Sequence, residues 1–83
     1  MEHVTYKTQG VCSRQIDIDI ENGIIVKAEF TGGCSGNTQG VCALVTGMSV
    51  EEAIKRLRGI HCGPRPTSCP DQLAIALEQH LAS

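Results

Sequence analysis

Within "CSRQIDIDI" polar and apolar residues alternate strictly from Gln15 on, with Ile16, Ile18 and Ile20 on one face and Gln15, Asp17 and Asp19 on the other. A period of two is that of a half-buried strand, because successive side chains of a strand point to opposite faces. The run ends at Asn22-Gly23, a pair that accepts the positive φ angles of a tight hairpin turn. "IIVKAEF" follows, with Ile24, Val26, Ala28 and Phe30 predicted on one face, so the two runs read as a hairpin. A shorter run, Val4 to Lys7, is expected to pair as a third strand through the "TQG" turn, giving an antiparallel meander with one wet face.

Beyond Phe30 the period changes. "TGGCSGNTQG" holds four glycines in ten residues and reads as a loop, and "NTQGVCALVTG" reads as a short helix stopped by Gly47. In "SVEEAIKRLRG", Ser49 is the expected N-cap of a second helix, with Glu52 completing a capping box. Ala53, Ile54 and Leu57 are its expected buried stripe and Gly59 its stop. "IHCGPRPTSC" is punctuated by proline and glycine, and a last helix is expected from near Pro70, burying Leu73, Ala76, Leu77 and Leu81. No repeat, low-complexity segment or linker divides the chain, so residues 1–83 read as one domain. Strands first and helices after predict an α+β fold, a three-stranded antiparallel sheet with three helices packed on one face.

Composition adds a constraint on stability. A chain of 83 residues buries only about 60–65% of its unfolded surface. With no Trp, one Tyr and one Phe, its core must come from Ile, Val, Leu and Ala. A metal, a disulfide or a partner chain is an expected staple for such a core. The net charge of −2, with Lys55, Arg56 and Arg58 as the only basic cluster, argues against nucleic acid as a partner. There is no apolar run of membrane length, and "MEHVTYKTQG" lacks an apolar signal core, so the expected location is the cytoplasm.

Five cysteines, an odd number, point in a reducing compartment to metal ligation or thiol chemistry rather than to a disulfide framework. Cys12 opens the second strand, Cys34 lies in the glycine-rich loop, Cys62 follows a helix end and Cys69 precedes the last helix. Cys42 differs: inside "VCALV" it reads as a small hydrophobe and is left out of the candidate site. Cys12, Cys34, Cys62 and Cys69 form a candidate set for Zn²⁺ or an iron–sulfur cluster, both of which take tetrahedral thiolate ligation, with His61 as a substitute for one thiolate. The six residues between Cys62 and Cys69 exceed the spacing of a zinc knuckle, so placement at element boundaries carries this reading. The competing reading is a set of buried, unreactive thiols. A helix start favours negative charge through its unpaired N–H groups and dipole, which suits a thiolate at Cys69. Asp71, in the same first turn, is expected to complement the dipole. "GGCSGN" lacks the pattern of a phosphate loop.

Cys62-Gly63, "TSCPD" from Thr67 to Asp71, and "GGCSGN" from Gly32 to Asn37 together resemble the TSCPD-domain proteins, over about Val11 to Leu81. The resemblance implies an association with cobalamin-dependent ribonucleotide reductases, which carry this domain at their C-terminal end. Ribonucleoside-diphosphate reductase is the activity such a resemblance would transfer. A complete reductase needs a large barrel for cofactor and substrate, however, which 83 residues do not supply. More distantly, "NGIIVKAEFTGGCSG" and "LVTGMSVEEAIK", followed by a cysteine before the final helix, are similar to the U-type iron–sulfur cluster scaffold proteins. That similarity implies the same fold and sets Cys34 on the family's glycine-flanked cysteine, with Cys62 or Cys69 near its last one. The expectation is a small metal-binding accessory module with zinc on Cys12, Cys34, Cys62 and Cys69. The alternatives are a dithiol relay through Cys62 and Cys69 beside a ribonucleotide reductase, and an iron–sulfur cluster carrier.

Overall fold

The computed structural model describes every residue except Cys12, Gly33, Cys34, Cys62, Arg65 and Ser83, with Ser35, Gly36 and Asn37 described by backbone alone. Strands β1 (Glu2–Lys7), β2 (Ser13–Glu21) and β3 (Ile24–Gly32) form an antiparallel sheet in the order β1-β2-β3. Helices α1 (Ser35–Val45), α2 (Val50–Leu57) and α3 (Cys69–Ala82) follow. This is the expected α+β order. Asn22 (φ 53°) and Gly23 (φ 76°) make the hairpin turn, both in the left-handed region that a primed turn requires.

The alternation in β2 holds: Ile16, Ile18 and Ile20 are buried and share a core with Val45 of α1, Val50 and Ala53 of α2, and Leu73, Ala76 and Leu77 of α3. Strand β3 departs from its expected pattern. Asp19 pairs with Lys27 and Ile20 with Ile25, so Val26 is an extra residue, a bulge. The bulge turns Ile25 into the core at 0% exposure and leaves Ile24 and Val26 each 37% exposed, while Ala28 and Phe30 stay on the core side. Strict alternation through Ile24 and Val26 is therefore corrected.

Helix α1 begins at Ser35, inside the stretch expected to be loop, and ends before Gly47 (φ 90°). The segment after it covers the free edge of β3 near the turn: Gly47 N–H donates to the Ile25 carbonyl (2.7 Å), Ile25 N–H to Met48 (2.9 Å) and Val50 N–H to Gly23 (2.9 Å). Ser49 caps α2 as expected, its hydroxyl accepting from Glu52 N–H at 3.2 Å. The capping box is only half formed, because the Glu52 carboxylate accepts from Arg56 Nε (2.7 Å) instead. Leu81 is 55% exposed rather than buried. Its neighbour His80 is already held by Glu2, the first residue of β1 (2.7 Å), so the last turn of α3 passes the end of the sheet.

On the wet face of the sheet His3 lies between Asp19 and Asp17, and Thr5 donates to Asp17. The Asp19 hydrogen bond is the main cause holding the His3 imidazole pKa above its ordinary 6.5. This contact contributes stability that is fully present below pH 6.5 and is lost as the pH rises through the raised folded value. Titration of the His3 ring by NMR is expected to give a midpoint above 6.5, returning toward it in Asp19→Asn.

Candidate functional site

Described residues flanking three connections, Ser13, Gly32 and Gly59, lie toward the end of the sheet opposite the Asn22-Gly23 turn. Ser13 pairs with Gly32 there, so the β1–β2 connection arrives beside the departure of the chain toward α1. The Cys69 sulfur, on the first residue of α3, lies 3.2 Å from the Ser13 hydroxyl. Gly59 N–H, just past α2, donates to the Asp71 carboxylate at 2.7 Å. By sequence these connections carry Cys12, Cys34 and Cys62, all of which lie outside the described residues. Cys69 is described, and it is a free thiol, partly buried. His61 is exposed. Among the described residues no group of three or more His, Cys, Asp or Glu is arranged to hold a metal ion.

What ties this end together is a polar cluster built by the residues around Cys69. Ser68 caps α3: its hydroxyl accepts from Asp71 N–H (3.2 Å) and its carbonyl accepts from Gln72 N–H (2.8 Å). The same hydroxyl donates to the Ile60 carbonyl, closing the loop between α2 and α3. The Asp71 carboxylate, in a residue 2% exposed, accepts from the Thr67 hydroxyl (2.6 Å), Gly59 N–H and Arg58 (3.1 Å). Gln72 donates to Thr67 (3.0 Å) and accepts from Gln9 N–H (3.0 Å), which fastens the β1–β2 connection to α3. Burial alone would raise the Asp71 pKa. The Thr67, Gly59 and Arg58 contacts outweigh it and hold the carboxyl below its ordinary range.

Asp71 is thus a buried anchor, more than the dipole-complementing residue expected of a helix start. Sequence reasoning also passed over Thr67, Ser68, Gln72 and Ser13. A signal for the first group was present: Ser68-x-x-Asp71 before an apolar run has the form of a helix-start box.

Gly10 is part of the same construction. Its φ of +73° disfavours any side chain, and an added Cβ would sit 3.1 Å from the Thr67 methyl. Gly10→Ala is expected to cost about 1–2 kcal/mol by chemical denaturation.

Cys42 lines a groove of about 360 Å³ between β3 and α1, with Glu29, Phe30 and Gly32. Burial, then the Glu29 charge, push its thiol pKa up.

A family model described as TSCPD domain matches residues 2–81, which takes in β1 as well as the segment that carries the motif. No curated protein and no solved structure matches the chain. Among the described residues no helix is long and apolar enough to cross a membrane.

Proposed function

The chain belongs to the TSCPD domain family, and from that premise we propose that it is a metal-binding accessory module holding zinc through Cys12, Cys34, Cys62 and Cys69. The observation that carries the proposal is the convergence of chain connections: Ser13 follows Cys12, Gly32 precedes the Cys34 loop, and both lie beside Cys69 through the Ser13 pairing and contact. Ile60 and Gly59, which precede Cys62, are bound to Ser68 and Asp71 on either side of Cys69. The chemistry of the described donor fits. Cys69 is a free thiol on the first residue of a helix, where negative charge is favoured, with a hydroxyl at hydrogen-bond distance from its sulfur.

Four thiolates around Zn²⁺ make a closed structural site that contributes folding free energy, which a core made of small aliphatic side chains needs. The residues of this chain supply the positions: Asp71, Thr67 and Gln72 hold the loops, and Ser68 fixes the start of α3. The partner proposed for such a module is a ribonucleotide reductase, the protein class in which the resemblance sets this domain.

Elemental analysis of protein purified without oxygen or added metal tests the proposal, read beside the visible spectrum and a titration of accessible thiols. One zinc per chain, a colourless solution and thiols protected until a chelator is added are the expected results. Iron with visible absorbance would replace zinc by a cluster. No metal, with Cys62 and Cys69 titrating freely, would overturn the proposal in favour of a dithiol relay.

A further inference from the structure

We propose that Ser13 is a positioning residue of this thiolate site, its hydroxyl donating to the Cys69 sulfur; the inference rests on the metal-binding reading above. By strand alternation Ser13 belongs with Gln15, Asp17 and Asp19 on the wet face. It lies instead on the helix side at 3% exposure, level with Ile16, Ile18 and Ile20. The cause is a second bulge. Ser13 pairs with Gly32 and Gln15 with the adjacent Thr31, so Arg14 is an extra residue that reverses the facing of everything before it. Bulges of this kind re-aim a side chain, and this one aims a hydroxyl at the first residue of α3.

The backbone at this point is held by Thr8 through two hydrogen bonds. The Thr8 hydroxyl donates to the Ser13 carbonyl, and Thr8 N–H donates to the Arg14 carbonyl at 3.2 Å. A serine fixed in this way cannot follow the cysteine if its side chain moves, so the contact selects one Cys69 side-chain orientation. Between a thiol and a hydroxyl either atom can donate, but once the sulfur is a thiolate the hydroxyl is the only donor left. A sulfur ligand with a hydroxyl donor carries less charge density than one without, and outer-shell partners of this type tune affinity for the metal.

The test uses the full chain loaded with Co²⁺ as a spectroscopic probe, comparing wild type with S13A, S13G and S13T. The two variants without a hydroxyl are read together, so that misfolding of one leaves the other to decide. They are expected to bind one cobalt per chain about 10-fold more weakly in competition with a chromophoric chelator. Their thiolate-to-cobalt charge-transfer band is expected at lower energy, with S13T returning both properties toward wild type. A weaker affinity with an unmoved band would assign Ser13 to packing and overturn the inference. Unchanged affinity and band would overturn it too, leaving the metal site standing. Failure of the wild-type chain to take up cobalt would overturn both readings.

Discussion

Asp71→Ala is expected to lower folding stability by about 3 kcal/mol and Tm by about 15 °C, measured by thermal and chemical denaturation. The substitution strands the buried Thr67 hydroxyl and also removes the acceptor of Gly59 N–H, whose residue is exposed. A buried donor without an acceptor costs about 1–3 kcal/mol. The ion pair with Arg58 adds little, because the Arg58 side chain is 50% exposed and also bound to Glu78 at 2.6 Å. Asp71→Asn keeps the shape and an oxygen for Gly59 N–H and Arg58, and sets its amide NH2 only against the Thr67 hydroxyl, which can also accept, so it is expected to lose less stability than Asp71→Ala. The acid dependence follows from the lowered pKa. The folded carboxyl lies below its ordinary 3.8, so the contribution is present above that value and is lost as the pH falls through the folded one. Asp71→Asn is expected to remove this part of the acid sensitivity.

Cys69→Ser and Cys34→Ser are expected to weaken metal binding by more than about 100-fold, beyond the usual cost of outer-shell changes, and to lower Tm together with metal content. Cys42→Ala is the contrasting variant. Its thiol lines the groove between β3 and α1 and is not one of the four proposed ligands, so metal content is expected to stay at the wild-type level. Loss of metal in Cys42→Ala would show that the four ligands had been chosen wrongly.

The architecture was legible because two local signals were strong: the isoleucine alternation in β2 and the Asn22-Gly23 turn. What could not be read were the two bulges. A bulge reverses facing without altering composition, so Ile25 replaced Ile24 and Val26 in the core and Ser13 moved from the wet face to the helix side. Leu81 was misplaced because helical periodicity says which face of α3 is apolar, and not where the sheet beneath it ends. The candidate cysteines were selected by their position at element boundaries. The residues that organise their surroundings escaped because their roles are long-range: Asp71 reaches Gly59 and Gln72 reaches Gln9, contacts that no local window contains.

Metal bound by Cys12, Cys34, Cys62 and Cys69 is proposed to be part of what holds this domain folded. Thermal denaturation of the protein as purified, with and without a strong chelator, tests it most directly. A chelator-induced fall in Tm of more than about 10 °C, reversed by added zinc, is the predicted result. An identical melting curve in both conditions, from protein whose thiols titrate freely, would contradict it.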